Sequence, residues 1–513
     1  MRRAIAALAL TIFSSPAHAD ETYVPPDFLS ATPPLPASMD GPTTWRLSLT
    51  EAVRIAVRQN LDVQLERLAV EATAQGAIVA GGQFEPVVSA SYRHSSSLTP
   101  PSSAQEGGAD QIFNAIDDAW RISLQQRFTT GTLATLDFDS GRAESSLGTA
   151  VQPVNYRSVI TLGVSQPLLR GFSTDLALPK LEILRAEIAN KRERQQLAVA
   201  ITTLVDRTEN AYWTVLQSLY RYDLAQRSQK AADDQLSLTS RQIDAGTLPS
   251  SDLIGAESTV AQRRLEVVQA EQDIQAAFDG LRNAMQLPRA EWKRAILPTD
   301  VPKFLAYTTN ADAAIEVAIK HRPELAQAKL DLQVSELGLR KAENDRLPQL
   351  DVGLSGTLFG QADRYNGALS QVGSTDARGW AVFANFTWAP LRRATTAAAD
   401  IAKIQQGQTK LRNQQLLQNV WTEVRDAVRN QQGAERRLIA AARFRDLAEK
   451  SLEIEQRRFL TGSSTNINVA QRQDALLAAR QAELDALLSH TRAATTLHRV
   501  TGRLLEERHI ELR

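Results

Sequence analysis

Two kinds of hydrophobic periodicity alternate along the chain, and the switches between them predict its elements. Val53, Val57, Leu61, Leu65 and Leu68 recur at helical spacing, predicting a helix over 49–83 with Thr50 as its cap. The same spacing predicts helices over 176–244 and 250–285. In the second half it predicts them over 312–345, 395–461 and 466–502. At 1.5 Å per residue the helix over 176–244 would extend roughly 100 Å. These helices are rich in Ala, Gln, Arg and Glu and carry only a narrow apolar seam. Leu253, Val260, Val267 and Ile274 trace it in one, and Val420, Val424 and Val428 in another. A narrow seam on a long helix is the mark of a coiled coil.

Between the helices the period drops to two. Leu350, Val352, Leu354 and Leu358 interleave with Asp351, Gly353, Ser355 and Thr357, and Trp380, Val382, Ala384, Phe386 and Trp388 form the next stripe. In the first half the stripes are Val88–Ala90–Tyr92, Ile122–Leu124–Phe128, Leu136–Phe138 and Tyr156–Ser158–Ile160–Leu162–Val164. Each run approaches the length of a membrane β-strand, about 9–11 residues. Tyr92, Trp120, Phe128, Tyr156, Phe359, Trp380 and Trp388 sit near strand ends, where interfacial aromatic girdles belong.

This order of elements occurs twice. Ala52-Val53-x-x-Ala56 and Pro86 are matched 262 residues later by Ala314-Ile315-x-x-Ala318 and Pro348. Gln166-Pro167-Leu168 is matched by Ala389-Pro390-Leu391 after only 223, so the first half carries 39 extra residues between its two prolines. Ala245-Gly246-Thr247 is matched by Thr461-Gly462-Ser463 at the helical turns. The repeats occupy 47–290 and 312–505, with a linker over 291–311 and a tail over 506–513.

The amino terminus changes the picture. Met1-Arg2-Arg3, an apolar stretch from Ala4 to Phe13 and Ala17-His18-Ala19 predict a secretory signal peptide over 1–19. No later apolar run reaches the roughly 20 residues of a transmembrane helix, so a membrane-spanning form must be a β-barrel. Six prolines between Pro25 and Pro42 predict an extended, mobile lead-in over 20–46. Cysteine is absent, which excludes disulfides, thiolate metal sites and lipid attachment at the cleavage site. Lysine plus arginine and aspartate plus glutamate both total 58, giving no basic footprint for nucleic acid.

Catalytic constellations are not found. His94, His321, His490, His498 and His509 form no close chelating pair, and Gly353, Gly356 and Gly360 lack the lysine of a phosphate loop. Asp233-Asp234 and Glu506-Glu507 are helical neighbours pointing different ways. The expectation is a protein that is not an enzyme and has no cofactor or metal.

From about Arg46 to Leu505 the chain resembles the TolC family of outer-membrane efflux and secretion channels. The resemblance is carried by Leu49-Thr50-Glu51-Ala52-Val53-x-x-Ala56 with Asn60, by Phe84-x-Pro86 and Leu347-Pro348, and by Gln166-Pro167-Leu168-Leu169. Ala245-Gly246 with Asp252-Leu253 and Thr461-Gly462 with Asn468-Val469 complete it. It implies an α+β membrane protein: a homotrimer whose transmembrane β-barrel continues into a long antiparallel α-helical coiled-coil tunnel in the periplasm. It also implies contact with outer-membrane lipid, a periplasmic adaptor and an inner-membrane pump. The helical-tip turns at Gly246 and Gly462 would hold the periplasmic gate or adaptor contact, formed from Thr247, Ser251, Asp252, Gly255, Ser463, Asn468 and Gln471. Where the family can present a ring of aspartates, Asn468 and Gln471 are neutral, a weaker trap for cations. These positions equally suit helix starts capped by Ser250 and Thr465.

The chain departs from the family's four strands per protomer. Its 39 extra residues hold an additional hairpin over 121–140, with a short turn at Thr129–Thr132 between long polar flanking loops. Short periplasmic and long external connections suit a membrane hairpin, and an appendage outside the barrel is the alternative. Inside the barrel it would place Ile122, Leu124, Phe128, Leu136 and Phe138 towards lipid. Arg121, Arg127, Asp137 and Asp139 would then face the lumen. A pore-less periplasmic coiled-coil scaffold is disfavoured by the alternating strands, and a self-standing porin by the long helices.

Overall fold

The computed structural model describes Tyr23, Pro25, Pro26, Leu29, Pro33, Leu35 to Ala37 and Met39, then 44–100, 112–145, 154–172, 177–246, 248–304, 306 and 310–510. The signal peptide, Thr247 and the end of the tail lie outside these residues.

Strand β1 (Trp45–Leu47) leads into α1 (Leu49–Gln59). Ser48 rather than Thr50 caps this helix, its hydroxyl accepting the Glu51 N–H at 3.2 Å. The single helix expected over 49–83 is two, because α1 stops at Asn60 and α2 spans Leu61–Gly81. Asn60 is extended, and its side-chain oxygen accepts from Asp62 N–H at 2.9 Å and Val63 N–H at 3.2 Å. Four strands follow: β2 (Val87–Thr99), β3 (Phe113–Arg127), β4 (Leu133–Ser145) and β5 (Val154–Pro167). Helix α3 (Leu181–Asp244) begins five residues later than expected, and α4 (Ser251–Met285) follows its turn. Strand β6 (Ile296–Pro298) lies in the linker between the repeats.

In the second repeat α5 (Ala311–His321) breaks at Arg322, and Pro323 opens α6 (Pro323–Asn344). Proline tolerates the first helical position and drives the residue before it out of helical geometry. Arg322 lies 262 residues after Asn60, so the two breaks obey the repeat although different chemistry makes them. Then come β7 (Gln349–Ala362), α7 (Tyr365–Ser374), β8 (Arg378–Thr387), α8 (Arg393–Leu460), α9 (Asn466–Val500) and α10 (Leu504–Glu507). Helix α7 was not expected.

The chain divides into two compact units. The first comprises 1–69, 193–328 and 413–513 and is helical, apart from the parallel pair of β1 with β6. Its seam is the expected one: Val420, Val424 and Val428 are buried with Ala314, Ala318, Leu325, Leu497 and Val500. The Tyr212 hydroxyl ties the β1–β6 pair to α3. It lies 3.0 Å from the Leu47 carbonyl and 2.8 Å from the Asp300 carboxylate, and accepts the Thr299 N–H at 3.1 Å. Two described residues of the lead-in are anchored to the helical unit. Leu29 is wholly buried, its carbonyl accepts the Tyr220 hydroxyl at 3.3 Å, and Tyr23 is buried beside Phe304. Proline-rich composition gives no sign of these two anchors, one leucine and one tyrosine.

The second unit comprises 70–192 and 329–412 and holds a six-stranded antiparallel sheet in the order β2-β3-β4-β5-β7-β8. The insert is therefore part of the sheet, with β3 and β4 standing between β2 and β5. Register sorts the residues into two faces. One row across the sheet is Val88, Leu124, Leu136, Leu162, Gly356 and Trp380; the next row on the other face is Ser89, Ser123, Asp137, Thr161, Thr357 and Gly379. One face thus carries an apolar band, bounded beyond Tyr92 and Trp120 by the polar row His94, Asp118 and Arg142, and the other face is polar.

Candidate functional site

Both helical turns are built alike. Gly246 (φ +72°) and Gly462 (φ +75°) follow α3 and α8 in the left-handed conformation, which costs little only for glycine. A Cβ on either would meet nothing, so backbone angle rather than space demands glycine. Gly246 N–H returns to the Ile243 carbonyl at 2.9 Å and Ser463 N–H to the Arg458 carbonyl at 2.9 Å. Thr465 caps α9 as expected, accepting the Asn468 N–H at 3.4 Å. Ser250 does not cap α4: it is helical itself and makes no side-chain cap bond. Ser251, Gly255, Ser463, Asn468 and Gln471 are exposed and Asp252 is half-buried.

The polar ties near these turns come from residues that sequence reasoning missed. Arg263 of α4 is buried to 6% exposure, pairs with Asp474 of α9, and donates to Glu266 at 2.7 Å. Gln235 of α3 donates to the Asn466 side chain at 2.8 Å. No single-helix pattern marks such residues, because they are defined by which helices become neighbours.

Further along the helical unit, Glu209 is fully buried and takes Arg508 on both oxygens, with Thr495 donating at 2.9 Å. Glu483 is also fully buried, beside Arg445 and Tyr23. Burial pushes the Glu483 and Asp206 carboxyls above their usual range, against the pull of Arg445 and Arg499 respectively. Burial also lowers the His498 imidazole. These are scattered structural groups. Among the described residues no cluster of histidine and carboxylate side chains is arranged to hold a metal.

On the sheet, Tyr92 and Trp120 are a direct cross-strand pair with stacked rings 5.9 Å apart. Trp380 is exposed on the same face, Tyr156 shares it through its pairing with Arg142, and Phe128 is exposed just past the end of β3. Trp388 lies just past β8, with the Arg392 guanidinium 5.4 Å from its ring centre. Phe359 departs from this set: its row contains Ser91, Arg121, Asp139 and Val159, on the polar face. A lipid-girdle role therefore does not hold for Phe359. The expected split of the insert does hold in register, with Ile122, Leu124, Leu136 and Phe138 on the apolar face and Arg121, Asp137 and Asp139 on the other. Arg121 and Asp139 are ion-paired across β3 and β4. They line a cleft of about 670 Å³ with Asp117, Arg157, Thr161 and Thr357.

No helix among the described residues is long and apolar enough to cross a membrane. An antiparallel sheet with an apolar band on one face is joined in one chain to two repeats of long helices. The outer membrane efflux protein family profile matches residues 132–285 and 314–503, and the chain belongs to that family. It is an efflux channel of the outer membrane with its helical part in the periplasm. The family is one of transport proteins.

Solved structures share the fold at low identity. A membrane protein from Pseudomonas aeruginosa is 16% identical with a TM-score of 0.65, covering 92% of this chain and 97% of its own. The CmeC outer membrane channel of Campylobacter jejuni gives 13% and 0.64, covering 96% and 94%. The outer membrane protein VceC of Vibrio cholerae gives 13% and 0.64, covering 88% and 96%. No curated protein matches the sequence.

Proposed function

We propose that three copies of this chain assemble into one exit duct, each contributing six strands to a closed barrel and two helical repeats to a periplasmic tunnel. The observation that carries this reading is the six-stranded sheet. Strands β2 and β8 each pair on one side only, and one face of the sheet is apolar. An open edge in a membrane leaves backbone groups unsatisfied, so the edges require partners, and β8 of one copy meeting β2 of the next supplies them. Three copies give eighteen strands where the family plan gives twelve. Barrel diameter grows roughly linearly with strand number, so the bore is about half as wide again.

The turns at Gly246 and Gly462, with Ser251, Asp252, Gly255, Ser463, Asn468 and Gln471, form the entrance and the seat of a periplasmic adaptor. That adaptor links the duct to an inner-membrane pump of the efflux or type I secretion kind, and the duct performs no chemistry of its own. Tyr92, Trp120, Phe128, Tyr156, Trp380 and Trp388 mark the membrane interfaces. Native mass measurement with single-channel recording tests the assembly: three protomers and a conductance above that of a twelve-stranded duct are expected. A monomer that retains pore activity would refute it.

A further inference from the structure

Helix α7 lies on the apolar face of the sheet, not the polar one. Gly360 of β7 shares a row with Ser158, Ser140, Trp120 and Tyr92, all on the apolar side. A Cβ built on Gly360 would come within 1.9 Å of the Ala368 carbonyl oxygen, so the helix backbone rests directly on that glycine. Beneath it Ser158 and Ser140 are buried to 0% and 4% exposure, their hydroxyls 2.9 Å apart. Ala368 and Val372 fill the contact from the helix side.

The seat also completes the backbone of β7. Pairing with β8 ends at Leu358, which leaves the outer end of β7 without a partner strand on that side. There the Phe359 N–H donates to the Ala377 carbonyl and the Gln361 N–H to the Gln371 side chain, both at 2.9 Å. The segment carrying α7 thus supplies acceptors to these two β7 N–H groups in place of β8.

The end of β7 that carries α7 is the end away from α6, beyond the apolar run Leu350 to Leu358. Tyr365, at the start of α7, sets its ring edge-on to Trp120 at 6.3 Å. Tyr365 and Leu369 remain partly exposed, and no residue of Tyr365–Ser374 is charged, while Asp363 and Arg364 precede it and Asp376 and Arg378 follow it. We infer that α7 is an interfacial helix lying in the outer leaflet at headgroup depth. Its occupant is lipid: Leu369 and Tyr365 extend the lipid-facing band, and the aromatic group Tyr92, Trp120 and Tyr365 forms the outer girdle. This rests on the outer-membrane placement of the sheet and deepens it, since it assigns an added lipid-contact surface to a helix outside the barrel wall.

The chain has no cysteine, so single nitroxide labels can be placed without background. Labels at Leu369→Cys and, as references, Leu162→Cys on the apolar band and Asp376→Cys after α7 are compared in proteoliposomes with a lipopolysaccharide-containing outer leaflet. Collision with oxygen and with a water-soluble nickel chelate gives depth. The Leu369 label is expected to favour oxygen, at shallower depth than the Leu162 label. A Leu369 label as open to nickel as that at Asp376 overturns the inference, and so does one shielded from both reagents. A Leu162 label outside lipid would instead overturn the membrane placement of the sheet, a distinct result. Gly360→Leu should unseat the helix, making the Leu369 label mobile and open to nickel while the Leu162 label stays unchanged. A Leu369 label indifferent to Gly360→Leu contradicts the seat.

Discussion

Arg508 grips both carboxylate oxygens of Glu209, 299 residues away in the chain, at 2.6 and 2.8 Å. Glu209 has no exposed side chain, whereas Arg508 keeps about a third of its own. The contact ties the segment after α10 to the middle of α3. Removing one partner of such a pair leaves a buried charge uncompensated, and that penalty outweighs the net worth of the pair. Arg508→Ala should therefore lower stability by about 3 kcal/mol, read as a fall in the thermal midpoint of the detergent-solubilised protein. Replacing both, as Glu209→Leu with Arg508→Leu, should restore much of that loss. A double variant no better than the single one would show that packing, not charge, is what Arg508 contributes.

His498, in the last turn of α9, gives a pH dependence. Burial lowers its pKa, Arg508 and Arg503 lower it further, and Glu507 and Glu209 oppose them. A depressed histidine is neutral in the folded chain while the unfolded chain already takes up a proton near its ordinary value of about 6.5. Stability from this group is present above that value and is lost as pH falls through it. His498→Gln should flatten the loss between pH 7.5 and 5.5, measured as thermal midpoints. An unchanged slope would assign the acid sensitivity to other groups.

The repeat, the seams and the strands were legible because each rests on periodicity sustained over many residues. Val420, Val424 and Val428 could be placed in a core from spacing alone, and Leu136 and Asp137 on opposite faces from alternation alone. The helix breaks were partly legible. Pro323 announces the one at Arg322, whereas the break at Asn60 depends on a side chain turning back onto its own backbone. Helix α7 was missed because ten residues with two internal glycines hold little helix by themselves. It rests on Gly360 above Ser140 and Ser158, and the two serines are distant in sequence. Phe359 was misplaced because an aromatic near a strand end suggests a girdle until the register fixes its parity.

Arg263 joins the two helices that follow the turns, α4 and α9. It is buried, and it connects α4 to Asp474 of α9. If the turns form the closed entrance, loosening this tie should open it. Arg263→Ala is expected to raise resting conductance in planar bilayers several-fold without altering native mass, and Asp474→Asn should do so more weakly. A negative charge introduced at the exposed Asn468, as Asn468→Asp, should shift ion preference towards cations instead. Conductance that responds only to changes on the polar face of the sheet would place the constriction there.

Leu136 and Asp137 are neighbours in β4 with opposite surroundings. Leu136 stands between Leu124 and Leu162 on the apolar face, and Asp137 between Ser123 and Thr161 on the polar face. If the apolar face meets lipid, an arginine at 136 sits in hydrocarbon, at a cost of about 2–4 kcal/mol near the membrane midplane. The same arginine at 137 faces water. Leu136→Arg should therefore reduce the fraction of assembled trimer recovered from membranes, while Asp137→Arg should assemble normally and shift the pore towards anions. Reversal potentials across a salt gradient measure the second effect and native mass the first. Because β3 and β4 lie inside the sheet, the contrast also tests the insert. Equal tolerance at both positions would mean that this hairpin does not form part of the barrel wall. The channel would then close with the family's ordinary number of strands.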